Sequence, residues 1–294
     1  MPHFNDMLIV AREFGLLVDD LTFDNQIHRV ATVTKPNKKN GWYAADPDNS
    51  SIYMGDWQTG NTQSWYPQRA VTCNTKRDIS ENLKHKQQLR ASKVLDAIER
   101  ARLLYKLGEA VSSHPYLKAK HISSCDSLRC HSGNLLVPLF CIADKELQVM
   151  NIQTIYPNGQ KRFLKHATTK ALCFPVGEIS ENVDEVYICE GMATAITLHL
   201  ATKYLVLAAM NAGNLFAIAN NTRKRWPQAK IIIAGDDDWL TQERTGNNPG
   251  KKKAIEAAHA VDGYTCFPPF TREQQKMNLT DWNDYLFQSV ERAV

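Results

Sequence analysis

The stretch VYICEGMATA, residues 186–195, decides how the carboxy-terminal part of the chain folds. The apolar residues at its start predict a buried strand, and the apolar residues that follow recur at helical spacing. Glu190 and Gly191 lie between the two, at the carboxyl end of the strand. A carboxylate in a segment that is otherwise suited to a core indicates a function for Glu190.

Strands and helices alternate through the rest of this region. Three apolar strands are each followed by a helical stretch, and the strands read VYIC, YLVLAA and KIIIA. Such alternation is typical of crossover units, so it predicts an α/β fold with a mainly parallel sheet flanked by helices. Functional residues of such sheets gather at the carboxyl ends of the strands.

The third strand runs directly into Asp236, Asp237 and Asp238. Alternate residues of an extended chain point to the same side, so Asp236 and Asp238 are predicted to share a face. If this strand lies near the strand of Glu190, three carboxylates converge, repel one another and need a cation. Oxygen ligands without a nearby His or Cys favour Mg²⁺ or Mn²⁺ over zinc. Taken singly, the aspartates also suit a helix-capping loop, and Glu190 suits a common turn.

Upstream of residue 184 the chain changes character several times. Short strands, turns and aromatic residues occupy the first 70 residues, and a mixed charged and apolar stretch over 76–111 predicts one long helix or two. Strands return from about residue 115 and include a turn at PNGQ. We therefore predict four segments, which are 1–75 (β-rich module), 76–112 (helical connector), 113–183 (basic, strand-rich subdomain) and 184–294 (α/β domain).

The composition limits the class of protein without selecting a function. The net charge of +4 over 294 residues permits a nucleic-acid partner but does not require one. No apolar run approaches the ~18–20 residues that cross a bilayer, and the N-terminal residues lack a basic stretch before an apolar core. We expect no membrane partner and a cytoplasmic location.

The seven cysteines are scattered and form no CxxC pair. Cys125, Cys130 and His131 come nearest to a metal cluster, but a second pair of ligands is missing from the pattern. We expect reduced thiols and no zinc.

Several motifs carry a resemblance to a known family. CEGMATA and IIIAGDDD resemble the Toprim fold shared by bacterial primases, type IA and type II topoisomerases and some nucleases. NNPGKKKAIEAA and LTDWNDYL are similar to the corresponding stretches of primases of phages, plasmids and integrative elements. The segment from LLVPLF to CFPVG is similar to the basic strand subdomain that precedes Toprim in primases, and KKNGWY and GDWQTG resemble a module found before those cores. The resemblance is to a Toprim-domain DNA primase of mobile elements and covers nearly the whole chain.

The resemblance implies a nucleotidyltransferase that makes short RNA primers on single-stranded DNA from ribonucleoside triphosphates, for replication or transfer of a mobile element. Glu190, Asp236 and Asp238 are the implied catalytic and metal-binding residues, and Glu190 suits either a metal ligand or a general base. Asp281 and Asp284 are candidates for completing the metal site, although acids also favour a helix N-terminus.

The chain departs from the family pattern in three respects. Thr194 stands where many bacterial primases carry an acid, so one metal ligand would be missing or replaced by water. The zinc-binding module that precedes many primase cores is absent, and so is a GxxxxGK[ST] loop. We expect no fused helicase in this chain, which leaves a separate replicative helicase as a possible partner.

Basic residues are the candidates for holding template and nucleotide. By resemblance, the stretch after the PNGQ turn lines the template and nucleotide channel, and its basic residues are Lys161, Arg162, Lys165 and Lys170. Lys251 opens a predicted helix, a position that ordinarily disfavours cations, which indicates a phosphate contact. The alternative for these residues is a solvated basic surface.

The first segment interleaves basic and aromatic residues. The candidates for DNA binding there are Arg29, Lys38, Lys39, Trp42 and Tyr43. Such a combination suits single-stranded DNA, because rings stack on the bases and cations follow the backbone. Aromatic residues also form the cores of small β modules, and we expect Trp57 to belong to that core.

Two other functions stay open at this point. A Toprim nuclease uses similar acids on phosphodiesters without nucleoside triphosphates, and a recombination mediator binds DNA with a degenerate Toprim domain. The joint presence of Glu190, Asp236 and Asp238 favours an enzyme. A topoisomerase would need a tyrosine nucleophile on further domains, which 294 residues hardly accommodate.

Overall fold

The computed structural model describes residues 4–47, 51–66, 73–277 and 279–291, with backbone alone for 73–87 and 288–291. The chain forms two compact units, Met1–His85 and Lys86–Val294. Among the described residues, no helix has the length and apolar character that a membrane span requires. The four-segment division stays a prediction, and its last two segments both lie in the second unit.

The first unit contains helix α1 (Phe4–Glu13) and one antiparallel sheet whose five strands follow chain order. The strands are β1 (Leu16–Leu17), β2 (His28–Thr32), β3 (Gly41–Ala45), β4 (Ile52–Asp56) and β5 (Thr62–Trp65). One face of the sheet packs with α1 around a small apolar core that includes Met7, Ile52 and Met54. The first unit is therefore rich in β strands.

Two aromatic residues of this unit differ in burial from what the sequence predicted. Tyr43 is 3% exposed and belongs to the core, where its hydroxyl accepts a hydrogen bond from the backbone N–H of Thr22 at 3.1 Å. Trp57, which was expected in the core, is 51% exposed and lies in the turn after β4. Because neighbouring residues of a strand point to opposite faces, the burial of Tyr43 turns Trp42 outward.

The predicted helical stretch is a single helix, α2 (Cys73–Leu107). After it come a short helix, α3 (Pro115–Ala119), and a second antiparallel sheet in the order β10-β9-β8-β7-β6. Its strands are β6 (Glu109–Ala110), β7 (Arg129–His131), β8 (Asn134–Leu139), β9 (Asn151–Ile155) and β10 (Lys161–Phe163). The basic strand β10 is therefore at one edge of this sheet.

The third sheet has the order β11-β13-β12-β14-β15. Its strands are β11 (Phe174–Val176), β12 (Glu185–Cys189), β13 (Leu205–Ala208), β14 (Lys230–Ala234) and β15 (Tyr264–Cys266). Strands β12 to β15 run parallel, whereas β11 pairs with β13 in the antiparallel direction. The predicted parallel sheet flanked by helices is confirmed, and the strand of Glu190 is its centre.

Helices cover both faces of this sheet. Those that pack against its strands are α4 (Met192–Thr202), α5 (Leu215–Arg225) and α7 (Pro249–His259). The other helices of this region are α6 (Trp239–Thr245), α8 (Arg272–Lys276) and α9 (Trp282–Glu291), and α9 packs on α4. Residues Val186 and Ile188 of β12 share a core with α5 and α7, whereas Cys189 shares a core with α4 and the second sheet. This alternation explains the continuous apolar run, because a central parallel strand is buried on both sides.

A buried amide connects the loop after β10 to the third sheet. The Oδ1 atom of Asn214 accepts from the backbone N–H of Ala171 at 2.8 Å, and its Nδ2 atom donates to the carbonyls of Leu172 at 2.9 Å and Ala209 at 2.8 Å. Buried polar groups require such partners. The side chain of Asn214 thereby positions the segment that follows the basic strand.

Candidate active site

The site lies where three neighbouring strands end. Cys189 of β12 pairs with Ala208 of β13 on one side and with Ala234 of β14 on the other. Glu190 directly follows β12. Asp236 follows β14 after one intervening residue, Gly235. Because parallel strands present their carboxyl ends at one edge, the two acids are brought together as expected.

The carboxylate of Glu190 is half-buried and incompletely satisfied. Its Oε1 atom is buried without a hydrogen-bond partner. Burial, and then the charges of Asp238 and Asp281, raise the pKa of Glu190 to about 7, while the backbone amides of Ala212 and Asp236 act in the opposite direction. The N-cap of α4 is Gly191, whereas the backbone hydrogen bonds to the Glu190 carboxylate come from Ala212 and Asp236, which lie outside α4.

Asp236 is in a similar state. Its Oδ1 atom is buried without a hydrogen-bond partner. Burial is the main cause that raises the pKa of Asp236 well above its usual range, and the charges of four other acids add to it. Those four are Glu190, Asp281, Asp238 and Asp284. The structure thus brings all five sequence-predicted acids into one electrostatic cluster.

Asp238 is held at the start of α7. Its Oδ2 atom accepts a hydrogen bond from the backbone N–H of Gly250 at 2.9 Å, an arrangement that the positive end of a helix favours. A Cβ atom at Gly250 would lie 2.8 Å from the carbonyl oxygen of Asp236 and 3.0 Å from Asp238 Oδ2. Because Gly250 has no side chain, α7 can approach the loop of residues 236–238, which we call the aspartate loop.

The middle aspartate, Asp237, takes different partners. It is buried, accepts a hydrogen bond from Asn248 Nδ2 at 2.8 Å and forms an ion pair with Lys251 Nζ at 2.9 Å. The Oδ1 atom of Asn248 accepts from the backbone N–H groups of Lys251 at 3.1 Å and Asp238 at 3.3 Å. Asn248 therefore links the aspartate loop to α7. Lys251, predicted to contact phosphate, is paired with Asp237 in this structure.

Lys120 is a member of the site that the sequence did not indicate. Its Nζ atom lies 3.4 Å from Asp284 Oδ1 and 3.7 Å from Asp281 Oδ2. Burial raises the pKa of Asp281, whereas the charge of Lys120 acts to lower it. The backbone N–H of Asp284 donates to Asp281 Oδ1 at 2.8 Å, so the alternative role at a helix N-terminus is also fulfilled.

The acids fit a divalent cation. No three His, Cys, Asp or Glu side chains form a ready-made metal-binding group within the described part of the chain. Yet two buried carboxylate oxygens, on Glu190 and Asp236, have no hydrogen-bond donor, and burial, followed by the charges of neighbouring acids, raises the pKa of both residues. Oxygen donors of this kind suit Mg²⁺ or Mn²⁺.

The basic residues of the second sheet are exposed and do not all share one face. Lys161 and Arg162 are neighbours on the edge strand β10 and so point to opposite sides. The Lys161 Nζ atom lies 4.9 Å from the centre of the Tyr116 ring, and the Arg162 guanidinium 5.9 Å from that of Tyr156. Lys165 and Lys170 follow on the exposed loop.

Comparison with known proteins identifies the domain that carries the acids. Residues 185–291 match the family model of the Toprim domain. This part of the chain, with Glu190 and Asp236 at its strand ends, is therefore a Toprim domain.

Two relatives, both named DNA primase TraC from Escherichia coli, extend the similarity. One is 36% identical over 160 residues, which are 53% of this chain and 11% of the relative. The other is 29% identical over 270 residues, which are 84% of this chain and 24% of the relative. The chain thus spans no more than a quarter of the length of these relatives. The predicted resemblance to Toprim-domain primases of mobile elements is confirmed.

A solved structure with similarity to the chain is the primase fragment of the bacteriophage T7 primase-helicase protein. It is 14% identical with a TM-score of 0.45, and the match covers 64% of this chain and 74% of that one.

Proposed function

We propose that the chain is a DNA primase, a nucleotidyltransferase that joins ribonucleotides into short RNA primers on single-stranded DNA. Replication or transfer of a mobile element is the setting that the similarity to the TraC proteins favours. The observation that carries the proposal is the pair of unpartnered buried oxygens on Glu190 and Asp236, at the strand ends of a Toprim domain. A phosphoryl-transfer enzyme needs such unbalanced carboxylates to hold a divalent cation.

Glu190, Asp236 and Asp238 are the residues that would hold Mg²⁺ or Mn²⁺. When bound, the ion supplies positive charge to the triphosphate and to the attacking and leaving oxygens. Gly250 and Asn248 keep Asp238 in place through hydrogen bonds to its side chain and backbone.

Lys120 divides the acidic cluster into two parts. It pairs with the outer acids Asp281 and Asp284, and no lysine or arginine of the described residues forms an ion pair with the inner three. The inner part therefore attracts a metal ion, while the two outer acids share the single positive charge of Lys120. Lys251 supports the aspartate loop through Asp237.

The exposed basic residues on β10 and the loop after it are the proposed contacts to template and nucleotide phosphates. They are Lys161, Arg162, Lys165 and Lys170. Support comes from their exposure and from Asn214, which connects this loop to the domain of the acids.

Primer synthesis by the full chain tests the proposal. Single-stranded DNA and labelled ribonucleotides are incubated with Mg²⁺ or Mn²⁺, and products are resolved by length. Asp236→Asn and Asp238→Asn should each lower the yield by about 100-fold or more, since a lost ligand removes several kcal/mol of charge stabilisation. Asp262→Asn is the matched control because Asp262 is exposed and has φ of 49°, which Asn adopts readily.

Other outcomes would overturn the proposal. Metal-dependent cleavage of DNA or RNA that proceeds without nucleoside triphosphates would identify a nuclease. DNA binding with neither synthesis nor cleavage would identify a non-catalytic mediator.

A further inference from the structure

The outer face of the first sheet carries a row of residues that the strand register places side by side. Arg29 of β2 pairs with Trp42 of β3, and Trp42 pairs with Gly55 of β4. Tyr53, two positions before Gly55 on the same face, is 40% exposed, and Trp57 in the following turn is 51% exposed. Large aromatic side chains exposed together on one face are unusual unless they serve binding.

Trp57 is held in position by its neighbours. The guanidinium of Arg29 lies 4.8 Å from the centre of the Trp57 ring, and its Nε and Nη2 atoms donate to the carbonyl of Lys39 at 3.2 and 2.9 Å. The backbone N–H of Trp57 donates to the carbonyl of Asn40 at 3.1 Å. The exposed indole and the lysine-containing turn therefore form one ordered surface, and little entropy is lost when a ligand binds there.

Trp42 lies flat against the sheet because Gly55 leaves room for it. A Cβ atom at Gly55 would come within 2.6 Å of the Trp42 ring. The two indoles of Trp42 and Trp57 are 6.0 Å apart between centres and inclined by 31°. A broad aromatic surface is thus assembled from β3, β4 and the turn after β4.

The charge of the surroundings is positive. Three exposed lysines, Lys35, Lys38 and Lys39, stand on the turn between β2 and β3, next to Arg29. The other outward-facing residues of the described strands β2 to β5 carry no negative charge; they are Ala31, Ala44, Thr62 and Ser64. Aromatic rings beside cations, without acids between them, match unpaired bases and a phosphate backbone.

We propose that Arg29, Trp42 and Trp57 form a binding site for single-stranded DNA, in which a base stacks on the indoles and Lys38 and Lys39 meet the phosphates. Duplex DNA is a poor fit because its bases are already stacked inside the helix. The inference rests on contacts within the first unit. It would add a template site to the proposed primase, but it does not depend on the chemistry of the acidic cluster.

Fluorescence anisotropy with the full chain tests this site. The probes are a labelled oligothymidylate, an abasic oligonucleotide of equal length, and the corresponding duplex, in buffer with EDTA and no nucleotides. Trp57→Ala should weaken oligothymidylate binding about 5- to 150-fold, the effect of one lost base stack, and should leave the weaker abasic binding unchanged. Tyr264→Ala, which removes a 62% exposed aromatic residue of the second unit, is the matched control and should bind normally.

Several results would overturn the inference. The first is that Trp57→Ala binds the oligothymidylate as tightly as Tyr264→Ala does. The second is that Trp57→Ala loses as much affinity for the abasic probe as for the oligothymidylate. The third is that the full chain binds the duplex as tightly as the single strand. Thermal unfolding verifies that Trp57→Ala folds. Asp236→Asn should bind the oligothymidylate normally while synthesis is lost, so failure of this site and failure of the proposed function are separate outcomes.

Discussion

Neutralising Glu190 is expected to stabilise the metal-free protein while it removes primer synthesis. Burial, and then the charge of Asp238, raise the pKa of Glu190 from its usual 4.5 to about 7. The unfolded chain therefore releases this proton at a lower pH than the folded chain does. The stability that the group contributes is fully present below about pH 4.5 and is lost as the pH rises through about 7.

The size of this loss follows from the two pKa values. Each unit of difference corresponds to about 1.4 kcal/mol, so the ionised Glu190 lowers the free energy of unfolding by about 3 kcal/mol at pH 8 and by about 1 kcal/mol at pH 5. Glu190→Gln cannot ionise. It should exceed the wild type in stability by up to about 3 kcal/mol at pH 8, less the cost of hydrogen bonds that the buried amide leaves unmade.

Urea titration in EDTA at pH 5 and pH 8 measures the effect. Hydrogen exchange of peptides from β12 and β14 reports unfolding of the second unit alone. Glu185→Gln is the matched control on the same strand. Burial acts to raise the pKa of Glu185, but its hydrogen bond to Lys230, 2.9 Å long, brings the net pKa below its usual value. This control should lose stability at pH 8, opposite in sign to Glu190→Gln.

Magnesium provides the second half of this experiment. If Mg²⁺ binds at the proposed site, it should raise the stability of the wild type more than that of Glu190→Gln. A variant that is less stable than the wild type at pH 8, shows the same pH dependence and responds equally to Mg²⁺ would refute the assignment. Glu190 would then be a structural residue, and synthesis should follow the folded fraction.

Three further substitutions probe the surroundings of the acids and the core of the first unit. Gly250→Ala forces Asp238 away from α7 and should cost about 1–3 kcal/mol in urea unfolding, with a greater proportional loss of primer yield than of folded protein. Lys120→Met leaves Asp281 without its cation and should lower the free energy of unfolding by about 1–2 kcal/mol in EDTA, with recovery on addition of Mg²⁺. Tyr43→Ala removes a core ring and should destabilise the first unit by about 3–5 kcal/mol in hydrogen exchange of its strands, whereas a surface role for the ring predicts little change.

The elements of the α/β domain could be read from the chain because their signals are local. The apolar runs before Glu190 and Asp236 predict strands, and they are β12 and β14. Both strands are covered on two faces, so each run is continuous and can be recognised without its partner. The turn residues and acids that follow each strand are also recognised from the neighbouring sequence alone, and they indicated where a site would lie.

The first sheet shows what local pattern leaves open. Alternation predicts that Trp42 and Tyr43 point to opposite faces, but the choice of the buried face depends on what packs against the sheet. Helix α1 covers the Tyr43 face, and the exposed Trp57 is placed by its contact with Arg29 across the sheet. These are contacts between segments, and an aromatic residue suits either side.

The sequence by itself showed which residues are acids and predicted which runs are strands and where a metal ion would bind, because composition and periodicity belong to each segment separately. The tertiary structure decided that β12 lies beside β14, that Asp238 rests on the amide of Gly250, and that Lys120 reaches Asp284, 164 residues away. Burial and the distances between charges sum over all neighbours in space. The raised pKa of Glu190 is therefore a property of the folded assembly of segments, and no single stretch of sequence contains it.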